Sequence, residues 1–155
     1  QINQKIKRIA YQIYDVHSSE KEVVIAGIQG NGFYFSTLLA KSLDQISSLK
    51  ISLCEVYIDK KNPLNKITTS IKTSDYENKS IVLVDDVLNS GTTLMYGIKH
   101  FLGVPLKRFK TAVLVNRNHK KYPVKADFKG ISLSTSINEH VEVIFDEKNS
   151  KAYLV

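Results

Sequence analysis

The 155-residue chain is 43% hydrophobic and 24% charged, which fits one globular domain over residues 1–155 with a buried core. No apolar run approaches the ~18 residues of a membrane span. Cys54 is the single cysteine, which excludes an intramolecular disulfide and a cysteine-based zinc site. This cysteine content is compatible with the cytoplasm. The net charge of +7, from 22 basic and 15 acidic residues, favours anionic partners such as phosphates, nucleotides or RNA, although a solvated lysine-rich surface has the same composition.

The first third of the chain alternates between helical and strand patterns. A helical stripe with spacings of four and three is formed by Ile2, Ile6, Ile9, Ile13 and Val16. The β-branched run at 22–28 predicts a buried strand that ends in the glycine-rich turn GIQGNG. A second helical face predicts a helix from Gly32 to about Ser47.

The remaining elements continue this alternation. A strand is predicted at 50–58, a polar loop at 60–65 and a hairpin arm at 66–72. The segment SIVLV at 80–84 predicts a buried strand, and a helix is predicted from Thr92 to about Leu102. Further β segments are predicted at 109–115, 130–134, 141–145 and 152–155.

The order of these elements predicts an α/β fold. Repeated strand, helix, strand units favour a mainly parallel, twisted sheet flanked by helices, because strands with continuous apolar runs need cover on both faces. We expect a small β-rich hood from the C-terminal region or from the 50–72 arm. Ligands bind at the carboxyl ends of parallel strands, so the turns after 22–28 and after 80–84 should share one rim.

Two adjacent carboxylates, Asp85 and Asp86, follow the strand at 80–84, and a short polar turn leads from them into the next helix. Backbone N–H groups and hydroxyls at this helix N-terminus can converge on an anion, within Asn89, Ser90, Gly91, Thr92 and Thr93. The carboxylates accept hydrogen bonds only, so they suit the two hydroxyls of a cis-diol. A phosphate beside a diol is ribose 5-phosphate.

This turn matches neither a P-loop nor a receiver domain. A P-loop requires Gly-Lys-Ser/Thr, which does not follow here. A receiver domain also places paired acids after a strand, but after its first strand and without a phosphate-binding turn. The remaining alternative is that the acids merely cap the helix.

The stretch IVLVDDVLNSGTT (81–93) closely resembles the signature for phosphoribosyl pyrophosphate (PRPP) in type I phosphoribosyltransferases. That signature is four apolar residues, two acids, two apolar residues, a variable residue, Thr or Ser, Gly, a variable residue and Thr. Residues 110–136, KTAVLVNRNHKKYPVKADFKGISLSTS, resemble the pyrimidine-operon attenuator and uracil phosphoribosyltransferase family. The segments RIAYQI and GIQGNGFYFSTLLAKSL also align with it, so the similarity spans nearly the whole chain.

The resemblance implies a type I phosphoribosyltransferase that moves phosphoribosyl from PRPP to a nucleobase and releases pyrophosphate. Asp85 and Asp86 would be the catalytic acids that hold the ribose hydroxyls, and residues 89–93 would hold the 5-phosphate. Pyrophosphate would face Gln29, Gly30, Asn31, Gly32, Lys60 and Lys61, and the base would lie near Val115 and Arg117. Mg²⁺ is expected to be held mainly through PRPP, without a complete protein metal site. Uracil is favoured by the resemblance alone, since the residues do not choose between uracil and a purine.

The loop at 27–32 departs from the family. The usual pattern is Gly-Ile-Lys-Thr-Arg-Gly, and here Gly30 and Asn31 stand in the places of Thr and Arg. That Arg normally faces pyrophosphate, so the missing charge predicts weak catalysis unless basic residues of the 60–66 loop compensate.

An alternative function is a regulator of pyrimidine genes that senses PRPP or nucleotides in this site and binds an mRNA leader, with weak or lost catalysis. The family's RNA-binding face is matched at Arg8, His119, Lys120 and Lys125, whereas Lys7 and Tyr11 replace its usual Thr and His. In either case we expect a homodimer or higher homo-oligomer and no membrane partner.

Overall fold

The computed structural model describes residues 1–134, 139–146 and 150–154. Its elements in chain order are α1 (Ile2–His17), β1 (Glu22–Ile28), α2 (Asn31–Ile46), β2 (Lys50–Tyr57), β3 (Thr68–Thr69), α3 (Thr73–Tyr76), β4 (Ser80–Leu88), α4 (Thr92–Phe101), β5 (Arg108–Arg117), β6 (Phe128–Leu133), β7 (Val141–Ile144) and β8 (Lys151–Leu154).

Six strands form one sheet in the order β3-β2-β1-β4-β5-β6. Every neighbouring pair is parallel except β2 and β3, which are antiparallel. Strands β7 and β8 form a separate antiparallel hairpin, which we call the C-terminal hairpin. The predicted α/β class, with a mainly parallel sheet and flanking helices, is confirmed. The C-terminal hairpin is the predicted small β-rich hood. Strand β3 is a two-residue strand within the predicted 66–72 arm.

Both faces of the sheet are buried, and successive side chains of a strand point to opposite faces. In β1, Val23 and Ile25 belong to the apolar cluster that α1 and α2 complete. Val24 and Ala26 belong to the opposite cluster, which includes residues of α3 and α4. This explains the continuous apolar runs of the central strands, as expected for a parallel sheet covered on both sides.

The central strand β4 is longer than predicted. It continues past Val84 to Leu88, so the two aspartates lie inside the strand, and Asp85 and Val87 are in register with Val113 and Val115 of β5. Strand β5 likewise extends to Arg117, and the parallel ladder between the two strands explains both extensions. The short helix α3 was not predicted. Within the described residues, no helix has the length and apolar character needed to span a bilayer.

Candidate active site at the carboxyl end of the sheet

The two aspartates lie at the carboxyl end of β4 in different environments. Asp85 is only 3% exposed, whereas Asp86 is half-buried. The backbone N–H of Asp86 donates to Asp85 Oδ1 at 2.9 Å. Lys60, from the loop after β2, places its Nζ 3.9 Å from the same oxygen. One carboxylate is therefore enclosed and paired, while its neighbour is open to a ligand.

The pKa of Asp85 is shifted toward neutral pH. Burial raises the pKa of this carboxyl to about 8, the Lys60 ammonium opposes that rise, and the charge of Asp86 adds to it. Desolvation dominates because the ionised form loses its hydration on burial, and one half-exposed ammonium does not fully replace that hydration. Below about pH 8 the carboxyl of the free protein is therefore mostly protonated, and a ligand that donates hydrogen bonds favours the ionised form.

Gly32, at the end of the first-strand loop (residues 29–32), lies directly against Asp85. A Cβ atom at Gly32 would lie 2.7 Å from Asp85 Oδ1 and 3.2 Å from its Cα. The absence of a side chain at this position lets α2 begin next to the carboxylate. The Asn31 amide donates to the Val143 carbonyl of the C-terminal hairpin at 3.0 Å, and the neighbouring Gln29 and Gly30 are exposed.

Residues 89–93 form a tight turn into α4. Gly91 has a φ of 88° and is the N-cap residue of that helix. The hydroxyls of Ser90 and Thr92 lie 2.8 Å apart, and the Thr92 N–H donates to Ser90 Oγ at 3.3 Å. The first N–H groups of a helix have no partner within the helix, so together with these hydroxyls they form a set of donors for an anion.

A segment far along the chain supports this turn. The N–H groups of Lys121 and Tyr122 donate to the Ser90 carbonyl at 2.7 and 3.1 Å. A Cβ at Gly91 would lie 2.5 Å from Val124 Cγ1, so the segment packs closely against the turn. These supporting residues could not be recognised from the sequence, because no local pattern links them to residues 89–93.

These elements enclose a cleft of about 350 Å³. It is lined by Lys60, Asp85, Asp86, Val87, Leu88, Asn89, Ser90, Gly91, Thr92, Thr93, Leu94 and Val141. The structure thus brings together the predicted acids, the whole predicted phosphate turn and one of the two predicted loop lysines. Lys61 is exposed and Gln29 to Gly32 lie beside the cleft, outside this lining.

The loop that carries Lys60 is organised by its own side chains. Asp59 Oδ1 accepts the N–H groups of Lys61 and Asn62 at 3.0 and 3.3 Å. Asn65 Nδ2 donates to Asp59 Oδ2 at 3.1 Å. This network folds the loop back on itself and presents the Lys60 side chain, which is 52% exposed, to the acids.

The two residues expected to contact a base are placed differently. Arg117 Nη1 donates to Asn89 Oδ1 at 2.8 Å, and Nη2 donates to the Glu139 carbonyl. Arg117 therefore joins the phosphate turn to the segment before the C-terminal hairpin. Val115 is fully buried in the core and does not line the cleft. Val141, which does line it, was not foreseen, since nothing in its local sequence indicates a binding residue.

The residues matched to an RNA-binding face lie on two elements of the fold. The Arg8 guanidinium donates to the carbonyls of Lys129 and Gly130 at 3.3 and 2.6 Å, which ties α1 to β6. The other three, His119, Lys120 and Lys125, are exposed on the connection between β5 and β6. In the described part of the chain, no group of three or more His, Cys, Asp or Glu side chains is arranged to hold a metal ion.

The chain is similar to known proteins over most of its length. The model of the phosphoribosyl transferase domain matches residues 1–148. The bifunctional protein PyrR of Streptococcus thermophilus is 32% identical over 152 residues, covering 94% of this chain and 86% of that protein. The bifunctional protein PyrR of Limosilactobacillus reuteri is 32% identical over 153 residues, covering 92% and 85% of the two chains.

Solved structures show the same fold. A hypoxanthine-guanine phosphoribosyltransferase of Bacillus anthracis superposes with a TM-score of 0.73 at 20% identity, covering 91% of this chain and 80% of that one. The hypoxanthine phosphoribosyltransferase of Trypanosoma cruzi gives a TM-score of 0.75 at 19% identity, covering 90% and 79%. At such identities the likeness concerns the arrangement of the backbone.

Proposed function

The chain belongs to the family of phosphoribosyl transferase domains, and we propose that it transfers the phosphoribosyl group of PRPP to uracil and releases pyrophosphate. The observation that carries this proposal is the cleft in which Asp85 and Asp86 lie beside the donor-rich turn 89–93. One end of the cleft offers acceptors to a diol and the other offers donors to a phosphate. Uracil, rather than another base, rests on the resemblance of residues 110–136 to uracil phosphoribosyltransferases and on the PyrR relatives.

In this proposal each part of PRPP has its own partner. The 5-phosphate binds the N–H groups and hydroxyls of residues 89–93, and the ribose hydroxyls donate to Asp85 and Asp86. Pyrophosphate lies toward Lys60 and the 29–32 loop. Bond breaking at the anomeric carbon develops positive charge on the ribose, so positioning and electrostatic stabilisation account for most of the catalysis.

Magnesium enters the proposal as an ion carried mainly by PRPP. The cleft presents two carboxylates, those of Asp85 and Asp86, among its lining residues. Mg²⁺ is commonly bound through one or two carboxylates together with substrate phosphate oxygens and water, so this donor set fits the ion. When bound, the ion would neutralise charge on the departing pyrophosphate.

The direct test is to incubate the protein with PRPP, Mg²⁺ and each common nucleobase and to follow pyrophosphate release. We expect release with uracil and little with purines. If only a purine supports release, the acceptor is that purine and not uracil. If no base supports release, the enzymatic proposal is refuted.

Lys60 should carry the positive charge that the 29–32 loop lacks. Lys60→Ala is expected to lower kcat/KM for PRPP by about 10- to 100-fold, because a hydrogen bond to a charged group is worth ~1.5–3 kcal/mol. Lys61→Ala is the matched control, since this neighbouring lysine is exposed and lies outside the cleft lining. Steady-state kinetics of both variants decide the point, and equal losses would show that only the general charge of the loop matters.

A second function, RNA binding, is favoured by the exposed basic residues between β5 and β6 and by the relatives' description as bifunctional. If an RNA leader binds there, the double variant Lys120→Ala, Lys125→Ala should reduce the slope of log K against log salt by about 0.7 for each lost phosphate contact. The exposed pair Lys41 and Lys50, changed to Ala, provides a control with the same net charge. An identical slope in both double variants would indicate non-specific attraction.

A further inference from the structure

The C-terminal hairpin forms one wall of the cleft. Val141, the first residue of β7, lies in the cleft lining with the acids and the phosphate turn. Those acids and the turn offer polar partners to the ribose and phosphate of PRPP. A nucleobase additionally needs apolar contact for its planar ring, and Val141 is what the hairpin contributes to the cleft.

The hairpin reaches this position through contacts with the start of α2. Val143 is 6% exposed and packs in the same apolar cluster as Phe35. The Phe145 ring stacks on Phe35 with centroids 6.3 Å apart and lies 5.1 Å from the Tyr34 ring. Apolar contacts of this kind hold the hairpin against the helix but tolerate sliding along it.

One polar contact fixes the position of the hairpin along the helix. Asn31 Nδ2 donates to the Val143 carbonyl at 3.0 Å across 112 residues of sequence. Asn31 is the first residue of α2, next to Gly32, which packs against Asp85. The amide therefore links the loop beside the acids directly to the strand that carries Val141.

We infer that Asn31 is a positioning residue that holds the C-terminal hairpin in place, so that Val141 forms the wall against which the acceptor base binds. This inference rests on the proposed phosphoribosyl transfer for the identity of the acceptor. At the other side of the site, Arg117 donates to Asn89 and to the Glu139 carbonyl, which anchors the start of the same segment. The departure from the family's Arg at position 31 thus gives a contact within the protein in place of a charge for pyrophosphate.

The test compares Asn31→Ala with Gln45→Ala. Both variants remove one neutral amide from α2, but the Gln45 side chain is exposed near the other end of the helix and makes no hydrogen bond among the described residues. Hydrogen exchange of the amides at 141–144 and 151–154, followed by mass spectrometry, reports on the hairpin without reference to activity. Steady-state kinetics then give KM separately for PRPP and for the base.

We expect Asn31→Ala to speed exchange in the hairpin roughly three- to tenfold, the effect of one lost neutral hydrogen bond, with exchange in β4 unchanged. KM for the base should rise by a similar factor while KM for PRPP stays within about twofold. Gln45→Ala should change none of these quantities. Unchanged hairpin exchange, or a rise confined to KM for PRPP, would overturn the inference. If the wild type turns over no base, the proposed function fails, and the exchange comparison still decides whether Asn31 holds the hairpin.

Discussion

Replacing both Asp85 and Asp86 with asparagine should weaken PRPP binding by at least about 100-fold, because two charge-assisted hydrogen bonds to the ribose are lost at ~1.5–3 kcal/mol each. The variant should remain folded, since asparagine has nearly the same shape and the Lys60 ammonium, which is 52% exposed and 3.9 Å from Asp85 Oδ1, keeps its hydration when that carboxylate is removed. Isothermal titration calorimetry with PRPP and Mg²⁺ measures the first effect, and thermal unfolding measures the second.

The pH dependence of folding stability tests whether Asp85 is protonated in the free protein. Burial raises the pKa of Asp85 to about 8, above its unfolded value of 3.8. Between these two values the folded state holds a proton that the unfolded state releases, so stability falls as pH rises from about 4 to about 8. The Asp85→Asn variant has no such carboxyl and should not lose stability in this pH range. The difference in Tm between the variant and the wild type should therefore grow with pH, by about 2–4 °C for each kcal/mol of folding free energy in a chain of this size.

Two results would contradict the assignment. If the double variant binds PRPP as the wild type does, the carboxylates do not hold the ribose diol. If Asp85→Asn instead lowers Tm more strongly at pH 8 than at pH 5, the Lys60 ion pair stabilises the fold and the buried carboxyl is ionised in the free protein. The single variant Asp86→Asn should weaken binding without the pH-dependent gain in stability.

The sequence was sufficient for those parts of the site that are continuous in the chain. Asp85, Asp86 and residues 89–93 lie within nine consecutive positions, so their chemistry could be recognised before any fold was known. The parallel sheet also followed from local patterns, because strands such as 22–28 and 80–84 are apolar on both faces. The length of β4 could not be predicted from the sequence, since two adjacent acids are typical of the end of a strand. Pairing with β5 overrides that local preference.

The contacts that complete the site join segments far apart in the chain. Asn31 reaches Val143 across 112 residues, and Arg117 reaches Asn89 across 28. Position 31 appeared in sequence to be a pyrophosphate ligand that had lost its charge, because a single chain does not reveal which carbonyl its amide meets. Val115 was assigned near the base from a motif, but burial places it in the core. Local chemistry could be read from residue types, whereas these roles depend on how the strands and the hairpin pack.

Gly91→Ala should be the most damaging single change to the phosphate turn. The φ of 88° at this residue is unfavourable for any L side chain by ~1–2 kcal/mol, and the new Cβ would lie 2.5 Å from Val124 Cγ1. Relief of this contact must move either the turn or the 121–124 segment that supports it. Because a misplacement of about 1 Å at a reacting centre can cost 100-fold, kcat/KM for PRPP should fall by at least about that factor.

Two further variants separate the causes of that loss. Gly103→Ala is the control glycine, since its Cβ would meet only the His100 carbonyl at 3.4 Å and its φ is not positive; activity and Tm should stay near wild type. Adding Val124→Ala to Gly91→Ala removes the side-chain clash but keeps the backbone strain, so it should restore part of the activity. Full restoration would show that the left-handed turn is unimportant for binding the phosphate. Wild-type kinetics in Gly91→Ala itself would show that the 5-phosphate binds elsewhere, because a turn displaced by a side chain cannot keep all its N–H donors on one anion.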